Sequence, residues 1–118
     1  MKAELKRLHS PDIDDLKQFI PNDANSFSFL LQIMVGQINL DGEESFDVIV
    51  CTPVWLLNEY RKSDVLFLRH FIIVFEYNYE NIFSCIKQKI ESLEYSNWDE
   101  FGKKMGEIGK WEFENYNV

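Results

Sequence analysis

The chain has 118 residues, with 20 Asp and Glu against 12 Lys and Arg, for a formal charge of −8. Its apolar share of 46 %, including 10 Phe, 5 Tyr and 3 Trp, excludes a disordered chain and suffices for one core, and its length fits one domain spanning residues 1–118. So acidic a balance argues against nucleic acid as a direct ligand, because phosphate binding runs on Lys and Arg, and the composition excludes collagen-like, repeat and disulfide-scaffold proteins.

Residues 2–9 alternate, with Ala3 and Leu5 on one side and Lys2, Glu4 and Lys6 on the other, which predicts a short strand ending at Ser10-Pro11. Pro11, Pro21 and the run Asn22-Asp23-Ala24-Asn25 punctuate a loop, within which Ile13, Leu16, Phe19 and Ile20 have the spacing of one or two helical turns. From Ser26 to Gly36, Phe27, Phe29, Leu31, Ile33 and Val35 recur at period two, and Leu30 and Met34 partly cover the other face. Asp41-Gly42 marks a hairpin turn into a partner strand over residues 45–52, where Phe46, Val48 and Val50 alternate.

Thr52-Pro53 then reads as a helix start, with the hydroxyl at N-cap and the proline at N1, followed by Trp55, Leu56, Glu59 and Tyr60. Residues 66–77 are dense in Phe, Ile, Leu and Val on both faces, the pattern of a central strand, interrupted near its start by Arg69 and His70. From Tyr79 the period becomes helical: Tyr79, Ile82, Phe83, Ile86, Ile90 and Leu93 form one stripe. Asn97 opens a second helix with Glu100 at capping-box spacing, an apolar face of Trp98, Phe101, Met105 and Ile108, and Gly109 as the stop. Gly102 and Gly106 weaken that helix by roughly 1 kcal/mol each, so another group must approach closely there. Trp111 to Tyr116 alternates aromatic and acidic residues and predicts a terminal strand or extended arm, with Trp111 and Phe113 in the core and Glu112 and Glu114 outward. The sum is an α+β domain: an antiparallel β-sheet with a C-terminal pair of helices packed on one face.

The N-terminus has no apolar run of signal-peptide length, and the longest apolar run, Phe71 to Phe75, is five residues, far below a membrane span. The expectation is a cytoplasmic protein that does not contact a membrane. Cys51 and Cys85 could pair on paper, but the reading that suits a reducing cytosol is two small buried thiols.

Catalysis needs a constellation, and none is evident. His9 and His70 sit near the ends of separate predicted strands, and either could serve as base to a cysteine only if that thiol left its apolar element. No zinc spacing, phosphate-binding glycine loop or dinucleotide fingerprint exists, and Asp12, Asp14 and Asp15 lack the glycine and glutamate of a calcium loop. No metal or cofactor is expected, and no catalytic residue.

What remains is uneven charge. Residues 26–60 hold Asp41, Glu43, Glu44, Asp47 and Glu59 with no Lys or Arg, and residues 76–118 hold nine acidic against five basic residues. Ordinary solubility is one reading; a basic partner drawn to an acidic face is the other. Aromatic–acidic stretches at Trp55 to Tyr60, Glu76 to Glu80 and Trp111 to Tyr116 suit an interface, although period-two packing would also produce them.

Four segments in order carry a resemblance: Met1-Lys2-Ala3-Glu4-Leu5-Lys6; Glu44-Ser45-Phe46-Asp47-Val48 through Cys51-Thr52-Pro53 to Trp55-Leu56-Leu57; Phe75-Glu76-Tyr77 into Tyr79-Glu80; and Gly109-Lys110-Trp111-Glu112-Phe113-Glu114. Together they resemble the Immunity protein 8 family of bacterial polymorphic and contact-dependent toxin systems. The resemblance implies a cytosolic α+β protein that binds the C-terminal toxin domain encoded beside it and performs no catalysis. Many such toxins are nucleases with basic surfaces, which an acidic binder would occlude. The expected contact face is Asp41, Glu43, Glu44 and Asp47 with Glu59 and Tyr60 beside it. A stand-alone adaptor domain and a small enzyme built around His9 or His70 are the competing classes.

Overall fold

The computed structural model describes residues 2–113. Its elements run β1 (Ala3–His9), β2 (Ser28–Gln37), β3 (Glu44–Cys51), α1 (Pro53–Glu59), β4 (Phe71–Ile73), α2 (Tyr79–Ser92), α3 (Trp98–Met105) and β5 (Lys110–Trp111). The strands make one sheet in the order β1-β2-β3-β4, with β5 on the same edge of β3 as β4. The fold is α+β, as the alternation of periods predicts.

Period two decides which side chains go inside. Phe29, Leu31, Ile33 and Val35 of β2 lie beside Val50, Val48, Phe46 and Glu44 of β3, and all but Glu44 are buried. Ile82, Ile86 and Ile90 of α2 and Phe101 and Met105 of α3 close this face into one core. The caps work as their residues dictate. Thr52 Oγ1 accepts from the Trp55 N–H, Asn78 Oδ1 from Asn81, and Asn97 Oδ1 from Glu100. Glu100 reaches back to the Ser96 N–H rather than to Asn97. Leu16 anchors the long loop in the core, and Phe19 packs edge-on against Phe27, Phe29 and Tyr77. Tyr77 donates its hydroxyl to the Leu16 carbonyl at 2.5 Å, and burial pushes its pKa up to about 12.

Two glycines sit where no side chain fits. A Cβ at Gly102 would fall 2.4 Å from the Trp111 ring, which is the close approach the sequence demands, and one at Gly36 would fall 2.0 Å from the Gly42 carbonyl. The hairpin forms, but not as a tight Asp41-Gly42 turn. Asn39, at φ 65°, is the left-handed residue of a longer connection between Gln37 and Glu44.

Four expectations need correction. The strand expected over residues 66–77 is only Phe71–Ile73, lies at an edge and runs parallel to β3, so the sheet is mixed. β3 offers one edge to two strands: β5 takes Phe46 and Asp47, leaving Ile49 to Cys51 for β4. His70, at φ 67°, breaks the extended backbone just before it. Cys85 is exposed on α2 because it lies off the helix's buried stripe, whereas Cys51 is buried; both are free thiols. Phe113 is 40 % exposed: the last backbone bond to β3 among the described residues is made by the Glu112 N–H to the Ser45 carbonyl, and the Phe113 ring meets the edge of Trp111. Trp111 is half-buried, stacked on Phe46, and Glu112 is exposed. Glu114, Asn115 and Tyr116 lie outside the described residues.

Candidate partner-binding surfaces

The carboxylates that sequence order groups together have different tasks. Asp41 is exposed on the β2–β3 connection. Glu43 accepts from Arg7 Nε at 3.0 Å and Nη2 at 2.7 Å, and this contact raises the guanidinium's pKa. Glu44 faces the core side at the sheet's rim, where Oε2 accepts from the indole N–H of Trp98 at 2.8 Å and of Trp111 at 3.0 Å. One carboxylate thereby ties α3 and β5 to the start of β3.

Asp47 points to the other face of the sheet, between Gln32 on β2 and Lys110 on β5. Burial raises its pKa most; a hydrogen bond with Gln32 and the charge of Lys110 oppose this, and Glu112 reinforces it. Its Oδ1 is buried without a hydrogen-bond partner. A carboxyl with a raised folded pKa stabilises the fold fully below its unfolded pKa, and this contribution is lost as pH rises through the folded pKa. Asp47→Asn is therefore expected to be more stable than the parent at pH 7, with the difference closing as pH falls below the ordinary carboxylate range. Urea unfolding at both ends of that range measures it, and a variant less stable at pH 7 contradicts it.

Glu59 and Tyr60 follow the opposite end of β3. Glu59 is exposed, and Tyr60 is half-buried with its ring against Trp55 and Phe71, the latter level with Ile49. Glu44 and Ile49 are five residues apart on an extended strand, about 17 Å. The six predicted residues thus fall into a group at the hairpin connection, a single carboxylate on the sheet's outer face, and a pair at α1. They do not converge on one point.

A second surface escaped the sequence reading. Between α1 and α2 the chain exposes Val65, Leu66, Phe67 and Leu68, then Ile73 and Phe75, with Phe67 93 % and Phe75 83 % exposed. Beneath β4 opens a groove of about 530 Å³, lined by Ile72, Val74, Ile82, Ile86, Met105 and Ile108. The apolar density of residues 66–77 is the signal for this surface, but an interface strand and a central strand carry the same signal.

Most of the residues weighed for chemistry have structural partners, while Cys85 is an exposed free thiol. His9 Nδ1 lies 2.7 Å from Gln32 Oε1, and His70 Nε2 lies 2.7 Å from the Gly106 carbonyl. Burial pushes the Cys51 thiol pKa up, away from the reactive thiolate. Asp12 accepts from the Leu30 N–H and so ties the loop to β2, and Asp15 accepts from the Lys17 N–H within its own turn. Among the described residues no three His, Cys, Asp or Glu are grouped to hold a metal ion, and no helix is long and apolar enough to cross a membrane.

A model of the family described as Immunity protein 8 matches residues 3–116 of the 118. No curated protein and no solved structure matches the chain.

Proposed function

This chain belongs to the Immunity protein 8 family, a family of toxin-immunity proteins, and on that premise we propose that it neutralises its cognate toxin domain by one-to-one binding, laying an acidic surface over a basic nuclease and catalysing nothing itself. The observation that carries this reading is the placement of the negative charge. Among the described carboxylates only Glu4, Glu44, Asp47 and Glu100 are even half-buried; all others face solvent. Charge held outward acts at a distance, over a Debye length of about 8 Å at physiological salt, so it guides encounter more than it tightens the final contact. A nuclease must present basic groups to its own substrate, and those groups are what an acidic inhibitor can occupy. The occupied histidines and the buried Cys51 thiol support a binding role in the cytoplasm.

Co-expression with the toxin domain encoded beside it, followed by co-purification and titration of toxin activity, tests the reading. A one-to-one end point is expected, and a toxin that neither co-purifies nor loses activity overturns it. The acidic component has its own test. Asp41→Lys/Glu43→Lys leaves the Glu44 clamp intact and gives up only one solvent-screened ion pair, Arg7–Glu43. Association with the toxin is expected to slow about tenfold at low salt, and the difference to shrink near ~0.5 M salt. Unchanged association rates at low salt remove this group from the interface.

A further inference from the structure

We propose that the toxin is anchored on the outer face of the sheet at Asp47, where one of its cationic side chains supplies the donor that Asp47 Oδ1 lacks. This inference rests on the toxin-binding reading and names, within it, the face and the group that hold the complex together.

The registers lay one polar row across four strands. His9 of β1 is level with Gln32 of β2, Gln32 with Asp47 of β3, and Asp47 with Lys110 of β5. Hydrogen bonds run along the row in one direction. Gln32 Oε1 lies 2.7 Å from His9 Nδ1, so the imidazole N–H donates to it, and the amide's NH2 end is left for the Asp47 carboxylate. That positions the carboxylate and serves only part of it. Oδ1 is shut off from water and meets no donor, even though the charge of Lys110 is close enough to act on the group. The core does not need this carboxylate: Phe46 and Val48, on either side of it along β3, make the core contacts, and Asp47 faces the other way. An ionised acceptor left without a donor opposes folding. A charge held at the expense of stability marks a place where function sets the residue.

Charge selects the occupant. The helices α2 and α3 pack on the opposite face, and the side chains beside Asp47 on its own face, Gln32, Met34, Ser45 and Ile49, are only half-buried. Glu112, exposed and held one row away by the Ser45 N–H, adds a second negative charge that acts on Asp47. A neutral donor would complete Oδ1 and leave both charges unbalanced. A guanidinium brings several N–H groups in one plane together with a positive charge, and its apolar stem can lie along Met34 or Ile49. Lys110 is exposed on a flexible stem and bonds nothing at Oδ1, so it can give way to the incoming cation. A basic nuclease carries such side chains where it grips its substrate. Tasks then divide between the two acidic groups. Asp41 and the solvent-screened Glu43 act on encounter, whereas a carboxylate that becomes paired and buried in the complex acts on dissociation.

Binding kinetics of the full chain with the toxin domain encoded beside it read the result. Asp47→Asn keeps the side chain's shape, still accepts from Gln32 and is expected to be the more stable fold, so weaker binding by this variant is not a folding defect. Its dissociation from the toxin is expected to speed up about tenfold or more, with association changed by less than about twofold. Asp41→Lys/Glu43→Lys is expected to show the reverse pattern. A second readout needs no variant. Met34 is half-buried on the same face, level with Ser45, whereas Met105 is fully buried in the core. Dilute hydrogen peroxide is expected to convert Met34 to its sulfoxide in the free chain and to spare it in the complex. A parent chain that does not bind the toxin overturns the toxin-binding reading and this anchor with it. A parent chain that binds, while Asp47→Asn dissociates no faster or Met34 oxidises as readily in the complex as in the free chain, overturns the anchor alone.

Discussion

Phe46→Ala is expected to destabilise the protein by about 3–5 kcal/mol, the largest effect of any substitution considered. Phe46 is fully buried on β3 and joins three elements. Its ring meets Phe101 of α3 edge-on at 6.0 Å and stacks on Trp111 of β5 at 6.1 Å, and its backbone pairs with Ile33 of β2. Truncation removes about six ring carbons and leaves a cavity that cannot readily collapse. Its walls are held by the Glu44 clamp and by Gly109, where even a Cβ would fall 3.0 Å from the Phe46 Cβ. Urea unfolding should show the loss, and the thermal midpoint should fall by about 15 °C or more in a chain of this size. A loss below about 1 kcal/mol would mean that α3 and β5 do not dock on Phe46.

Glu44→Ala is expected to be the next largest, about 2–4 kcal/mol, because it leaves two half-buried indole N–H groups without the carboxylate they share. Glu44→Gln keeps one acceptor oxygen and loses the charge, so it should fall between the parent and the alanine variant. The aromatic near-ultraviolet signal of Trp98 and Trp111 should change along with stability. Asp41→Ala, exposed on the same connection, is the comparison and should stay within about 0.5 kcal/mol of the parent. If Glu44→Ala were equally neutral, the carboxylate would be free to face a partner, and the clamp would have no energetic weight.

These two expectations bear on how interface variants are read. A charge reversal at Glu44 would lower protection against a toxin by weakening the fold, even if the side chain never touched the toxin. Asp41 and Glu43 carry no such ambiguity: one is solvated, and the other spends its charge on a surface guanidinium, Arg7, which is itself 54 % exposed.

Short-range physics made much of this protein legible from its residues. The period-two runs through Phe27 to Val35 and Phe46 to Val50, the helical stripe from Tyr79 and the capping residues Thr52 and Asn97 each act within a few positions of chain. They suffice for an α+β domain and for most of its core. The family resemblance, spread over the whole length, was equally readable, because it too consists of residues in order.

The tertiary structure alone decided which side chains meet. Glu44 and its indoles are 54 and 67 positions apart, and Glu43 and Arg7 are 36 apart, so no local pattern separates a clamp from a solvated carboxylate. The same limit applies at β4. Apolar residues on both faces of a strand say only that both faces avoid water. Whether the cover is the chain's own core or another molecule depends on which edge of β3 remains vacant, and β5, arriving from the far end of the sequence, takes part of that edge first.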